Sequence, residues 1–304
     1  MAEKPPLLSE GEELESFLAQ LESGTEVREI AGLESGFPNL SRALNGILPG
    51  LYLLIGPPSC GKTAFTKQLC DQVALHNSIP AIFFTFGERK RDLRIRTLAR
   101  FSGLESREIR RGSSFLLHWY GMPKRRGADS ERMSPSWEKL RKAAEEAKSW
   151  LNLLYIFEGG EKTDLREIEK RVRQVLKIKG AERAMVVIDD SQRLGKADSP
   201  MDARLPLVVE RLHDLAIRLD LPLLATWPDL QPSAAPQQWA ERVASADVIL
   251  VMEEDAERTK QLTEPNRAIA LHIVKNRHGE RGTLYFDFFP PFSKFTEADP
   301  DASH

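Results

Sequence analysis

The stretch "GPPSCGKTAFTKQL", Gly56 to Leu69, decides how the rest of the chain is read. Gly56, Gly61, Lys62 and Thr63 fit the spacing G-x-x-x-x-G-K-[ST]. That spacing has a physical reason. Glycines let the backbone curl so that successive N–H groups point inward, and the helix that follows presents its positive end to the same place. A lysine adds a point charge at the β- and γ-phosphates, and a hydroxyl adds an oxygen ligand for Mg²⁺. The context fits the motif: "LYLLIG" (51–56) reads as a buried strand ending in glycine, and 63–76 reads as a helix. The reading is an ATP and Mg²⁺ site in which Gly56, Pro57, Pro58, Ser59, Cys60, Gly61, Lys62, Thr63 and Ala64 contact the nucleotide, with Thr63 on the metal. Cys60 lies inside the loop, where Lys62 and the backbone donors would lower a thiol pKa; as a small residue tolerated in the loop it needs no chemistry.

Such a loop needs acidic partners at the ends of neighbouring strands. "AMVVIDD" (184–190) is an apolar run that delivers Asp189, assigned to the metal, and Asp190. "AIFFTF" (81–86) is followed by Glu88, the candidate for orienting the attacking water. Further apolar runs, "LLYIFE" (153–158), "LPLLATW" (221–227) and "DVILVM" (247–252), alternate with helical stretches at 91–103, 136–150 and 164–180. Near-continuous apolar strands separated by helices predict an α/β fold with a mainly parallel sheet covered on both faces, whose strand ends converge at one edge. The region 268–289 reads as two strands around a glycine-containing turn, an antiparallel hairpin added at the C-terminal side. The polar stretch 296–304 is expected to fray as a tail.

Composition narrows the partners. A formal net charge of -2 excludes a global polycation, so any nucleic-acid contact rests on a local patch. Two cysteines, Cys60 and Cys70, do not make a disulfide framework and fit a reducing compartment, with the cytoplasm as the expected location. No apolar run approaches the roughly 20 residues of a membrane span, and the opening "MAEKPPLLSEGEELESF" has no signal-peptide core. Within 1–30, Leu14, Phe17, Leu18 and Leu21 have helical spacing and predict a short amphipathic arm, docked on its own domain or on a neighbouring subunit.

Taken in order, these motifs resemble the RecA-like ATPase domain of DnaB-type replicative helicases over about residues 30–295. "SGFPNLSRALNGILPGLYLLIGPPSCGKTAF" is similar to that family's lead-in and P-loop, and "VVIDDSQRL" to its Walker B strand with a downstream glutamine, Gln192. "IVKNRHGERGTLYFDFFPPFSKF" is similar to its C-terminal hairpin. The resemblance implies an oligomeric ring, usually hexameric, with ATP at subunit interfaces. It also implies single-stranded DNA as the substrate, and Lys275 and Arg277 reaching the γ-phosphate of the neighbouring subunit. Charge supplied in trans in this way stabilises the transition state.

Four places depart from the family pattern. About thirty residues precede the ATPase domain where the family carries a further domain, so primase or loader docking is not implied. Gly87 aligns with the family's glutamate and leaves Glu88 one position later, a pairing more like RadA-type ATPases. Trp227 stands where the family has a nucleotide-sensing glutamine. The stretch 231–247, where the family's DNA-gripping loop lies, holds Arg242 as its single Lys or Arg. An inserted loop over 112–136 interleaves His118, Trp119 and Tyr120 with Lys124, Arg125 and Arg126, which suits single-stranded nucleic acid or a protein partner. The functional reading is therefore an ATP-hydrolysing, helicase-type motor. Its alternative is a nucleotide-dependent switch or scaffold on the same fold that signals to a protein partner. A RadA-like accessory ATPase is a third reading, without that family's zinc-ligand cysteines.

Overall fold

The structure, a computed structural model, describes residues 30–111, 135–160, 162–194, 201–230 and 235–299, together with Leu14. The amphipathic arm, Leu14 apart, and most of the inserted loop lie outside these residues. The elements, in order, are α1 (Pro38–Leu44), β1 (Gly50–Gly56), α2 (Lys62–Asn77), β2 (Ala81–Thr85), α3 (Lys90–Ser102), α4 (Ser106–Arg111) and α5 (Pro135–Leu151). There follow β3 (Leu154–Glu158), α6 (Leu165–Lys179), β4 (Met185–Asp189), α7 (Met201–Leu219), β5 (Pro222–Pro228) and α8 (Gln238–Arg242). The chain then continues through β6 (Val248–Glu254), α9 (Ala256–Thr259), β7 (Arg267–Asn276), β8 (Gly282–Phe289) and β9 (Lys294–Ala298).

Among the described residues, nine strands form one sheet in the order β3-β2-β4-β5-β1-β6-β7-β8-β9. The six from β3 to β6 run parallel, and β7, β8 and β9 are added antiparallel. β1, β2 and β4 are buried along nearly their whole length, as their unbroken apolar runs require of strands covered on both faces. One face packs on α1 and α2 through Leu54, Phe65, Leu69 and Val73. The other packs on α6, α7 and α8 through Ile55, Ile168, Val209 and Trp239. α6 begins at an N-cap, Asp164, whose carboxylate accepts the Glu167 N–H, and stops at Gly180 in the left-handed region.

Two elements go beyond the sequence reading. α7 carries Pro206 inside it, a residue that removes a helical N–H, yet Leu205, Val209, Leu212 and Leu215 bury a stripe that holds the helix on the sheet. The stretch from 296, expected to fray, continues the sheet to Ala298 as β9. Two contacts hold it there. Gln68 on α2 donates from Nε2 to the Phe295 carbonyl at 2.9 Å and accepts the Phe295 N–H at 2.7 Å. The Glu297 carboxylate accepts the Asn39 and Leu40 N–H groups at the start of α1. Phe295 itself stacks on Phe288 and meets Phe65 edge-on. Gln68→Ala leaves the buried N–H and C=O of Phe295 without partners, and we expect a loss of about 3 kcal/mol, at 1–3 kcal/mol for each unsatisfied group. Urea unfolding of the two proteins measures it, and an unchanged midpoint would contradict this role for the glutamine.

Candidate nucleotide site

The parallel strands place Gly56, Thr85, Asp189 and Pro228 at one edge of the sheet, Thr85 in register with Asp189 and Gly56 with Pro228. Between β1 and α2 the chain turns through Ser59 (φ 64°) and Gly61 (φ 106°). Gly61 is required twice over. Its conformation is left-handed, and a Cβ there would lie 3.0 Å from the Phe295 ring and 3.1 Å from that of Phe288. Gly61 gives α2 no side-chain cap, so the first-turn N–H groups face the loop unclaimed by any side chain.

Lys62 folds back over this loop. Its ammonium donates to the carbonyls of Gly56 and Pro57, both at 2.8 Å. Thr63 Oγ1 donates to Asp189 Oδ2 at 2.8 Å, and Thr226 Oγ1 donates to Asp189 Oδ1 at 2.9 Å. Asp189 is almost wholly buried, and its pKa is pushed up to about 6, first by burial and then by the charge of Asp190. The two hydroxyl donors act in the opposite sense. Proton uptake at Asp189 therefore accompanies folding between about pH 4 and 6. Stability from this group is complete below its ordinary pKa and falls as pH rises to about 6. In metal-free buffer the stability difference between the wild type and Asp189→Asn should shift by up to about 3 kcal/mol across that window, at 1.36 kcal/mol per unit. Denaturant titrations at pH 4.5 and 7.5, which take in about 2 kcal/mol of that shift, give the result, and a pH-independent difference would contradict it.

Glu88 is set by a turn in which Thr85 Oγ1 donates to the Glu88 carbonyl (2.8 Å) and accepts the Glu88 N–H (3.1 Å). Its carboxylate is gripped from α3 by Arg96, Nε to Oε2 at 2.9 Å and Nη2 to Oε1. Arg96 also donates to Ser293 Oγ at 3.1 Å. Thr85 is in register with Asp189, and the Phe86 N–H donates to the Asp189 carbonyl at 3.3 Å, so the turn that carries Glu88 leaves the sheet beside the end of β4. Gly87 is bare for a local reason, since a Cβ there would fall 2.0 Å from Asp190 Oδ2. Gln192 donates to Asp190 Oδ1 at 3.2 Å, and its own Oε1 is buried with no partner among the described residues.

Three sequence readings are sharpened. Cys60 is buried, and burial pushes its thiol pKa up despite Lys62, the opposite of the lowering that the loop's donors would give alone. Trp227 is fully buried on the α6–α7 face, its indole N–H without a partner among the described residues, while the adjacent Thr226 is the strand residue that touches Asp189. Lys275 and Arg277 do not meet the loop of their own chain. Lys275 is in register with Ile249, and Val248 pairs with both Asn276 and Tyr52, so the hairpin end lies beside the start of β1. Four residues of strand, about 13 Å, separate Tyr52 from Gly56. There Lys275 donates to the Ala244 carbonyl (2.5 Å), and Arg277 pairs with Asp247 (2.9 Å), which accepts the Leu51 N–H.

Thr226, Arg96 and Arg267 were not among the residues predicted for the site. Arg267 donates to the Ser59 carbonyl at 3.1 Å and lies over the Phe288 ring. Arg96 lies eight positions after Glu88, on the helix that the Glu88 turn leads into, whereas no local pattern marks Arg267.

Residues 32–297 match the family described as the DnaB-like helicase C terminal domain. The chain belongs to that family. Among curated relatives of this DnaB-like chain, the replicative DNA helicase DnaB of Pasteurella multocida (strain Pm70) is 26% identical over 286 residues, covering 88% of the chain and 55% of the relative. That of Treponema pallidum (strain Nichols) is 24% identical over 291 residues, covering 90% and 57%. The DnaB-like chain thus spans little more than half the length of these relatives. Two solved structures share its fold. One, described as an ATPase domain, has a TM-score of 0.75 at 21% identity, covering 97% of this chain and all of that one. The other, "The Structure Of A DnaB-Like Replicative Helicase And Its Interactions With Primase", has a TM-score of 0.72 at 21% identity, covering 96% and 69%. These neighbours bear out the RecA-like α/β reading of the DnaB-like chain. No helix among its described residues is long and apolar enough to cross a membrane.

Proposed function

We propose that this chain is the ATP-hydrolysing motor module of a DnaB-like replicative helicase, acting in the cytoplasm on single-stranded DNA as a homo-oligomeric, hexameric ring. The observation that carries the reading is the convergence of the loop, the Thr63–Asp189 pair and Glu88 at one sheet edge. The residues present fit ATP and Mg²⁺. The uncapped α2 terminus and the curled loop suit phosphates, and the Thr63 hydroxyl with the Asp189 carboxylate is a set of hard oxygen donors. When bound, Mg²⁺ would neutralise charge on the β- and γ-phosphate oxygens.

The chain's own groups supply the rest. Lys62 exchanges its two loop carbonyls for phosphate oxygens, a swap its flexible stem allows. Glu88 orients the attacking water and takes its proton at a carboxylate oxygen, with Arg96 setting the direction of that carboxylate. Lys275 and Arg277 lie too far along β1 to serve their own loop, which supports their action on a neighbour's γ-phosphate.

Steady-state ATP hydrolysis with and without single-stranded DNA, alongside native mass, tests the reading. Several-fold stimulation and a mass at a multiple of 34.3 kDa with ATP and Mg²⁺ are expected. Turnover indifferent to DNA, with no DNA binding at low salt, would return the switch or scaffold in its place.

A further inference from the structure

The loop that follows β5 is poorly equipped to hold a nucleic-acid backbone. Arg242, the single Lys or Arg between 229 and 247, has its guanidinium stacked over the Trp239 ring at 4.3 Å. Charge has accumulated elsewhere. Residues 89–126 hold twelve Lys and Arg against three Asp and Glu, in a chain whose net charge is -2.

The structure shows how the arginines of α3 and α4 are employed. Four face acids: Arg96 pairs with Glu88, Arg100 with Asp71, Arg107 with Glu105, and Arg110 with Asp92. Arg89, Arg91, Arg94 and Arg111 are exposed and make no ion pair among the described residues. Arg91 and Arg94, three residues apart, share one face of α3, while Arg89 stands at its N-cap position without a side-chain hydrogen bond to the helix. The Arg110–Asp92 bridge at 3.1 Å holds α4, and with it Arg111, beside the same end of α3.

Folding alone does not favour the arginines at the start of α3, whereas Arg111 lies in the last turn of α4, where a cation is favoured. Cations beside a helix N-terminus oppose its dipole, by about 0.3–1 kcal/mol each at the surface. Asp92 is the one acid in that first turn, and it is already taken by Arg110. Uncompensated positive charge of this kind matches a polyanion that arrives from outside. A flexible row of separate guanidinium groups suits successive phosphates spaced along a strand.

We propose that Arg89, Arg91, Arg94 and Arg111 form a phosphate-backbone contact surface for single-stranded nucleic acid, separate from the loop after β5. The proposal rests on the motor reading above and adds the place where the strand is held. The surface begins one residue beyond Glu88, so a strand held there lies on the helix whose Arg96 orients that carboxylate.

The test is fluorescence anisotropy of a labelled oligo-dT over a salt series. It compares the wild type, the triple variant Arg91→Gln/Arg94→Gln/Arg111→Gln, and a control triple Arg166→Gln/Lys177→Gln/Arg211→Gln of equal charge change at exposed sites on α6 and α7. Melting midpoints of all three establish folding. The arginine-face variant should bind at least about tenfold more weakly at 50 mM salt. Its salt slope should be flatter by about 2, at ~0.7 per lost phosphate contact, with the control near wild type. Equal losses in both triples would reduce the effect to bulk charge and overturn the proposal. So would displacement of oligo-dT by polyglutamate with the same dependence on the three arginines, which would point to an acidic protein partner. If the wild type binds oligo-dT and the arginine variant binds it equally, this surface alone is rejected. If the wild type does not bind it, the motor reading falls too.

Discussion

Glu88→Gln should lower ATP turnover by about two to four orders of magnitude, the usual contribution of a positioned general base, while ATP affinity stays within a few-fold. The amide keeps the size and direction of the side chain but cannot take a proton from water. On the proposed reading, binding rests on Lys62, the loop N–H groups and the Thr63–Asp189 pair, none of which hydrogen-bonds to Glu88. Single-turnover hydrolysis and equilibrium binding of a fluorescent ATP analogue separate the two quantities. Residual turnover within tenfold of wild type would show that another group orients the water. Moving the carboxylate to the position where the family carries it should not restore activity. In Gly87→Glu/Glu88→Gln the new Cβ falls 2.0 Å from Asp190 Oδ2, and Arg96 loses the carboxylate it grips.

The second large effect concerns the hairpin. Arg277→Ala should cost about 10³-fold or more in turnover, the range for a cation acting in trans on a transferring phosphoryl group. The variant should still bind ATP, because the residue lies about 13 Å along β1 from its own loop. Mixing Arg277→Ala with Lys62→Ala subunits should restore part of the activity, since some interfaces in a mixed ring then pair an intact loop with an intact arginine. Absence of rescue in rings proven to be mixed would place the arginine's effect inside its own chain. The melting midpoint of Arg277→Ala is a needed companion, because Asp247 is buried and loses its 2.9 Å partner.

Much of this architecture was legible because the parallel strands are buried on both faces, and a strand of that kind must be apolar at every position. "LYLLIG", "AIFFTF" and "AMVVIDD" announce β1, β2 and β4 within a residue or so, and because they are parallel their ends had to meet. The P-loop was legible because phosphate geometry dictates residue type at fixed spacing. Interactions far apart in sequence left no local trace. Arg267 reaches the Ser59 carbonyl across 208 positions, and Gln68 meets Phe295 across 227. β9 reads as a polar tail because one side of an edge strand faces water. α7 was obscured by Pro206, a local breaker overruled by the leucine and valine stripe on either side of it. Trp227 shows the limit of reading by position, since strand alternation turned its ring into the core and left Thr226 to meet Asp189.

The two-way bond between Gln68 and Phe295 has a consequence for the order in which the molecule is made. The P-loop helix is complete by Asn77, but the backbone that closes over its side, and the Phe288 and Phe295 rings that pack against Gly61, come more than two hundred residues later. A ribosome at 5–20 residues per second needs on the order of ten seconds or more to span that gap. Throughout that time the nascent sheet carries a phosphate loop without its cover. The nucleotide site is therefore among the last parts of this protein to become itself, and a chain interrupted before β9 would carry the motif but not the site.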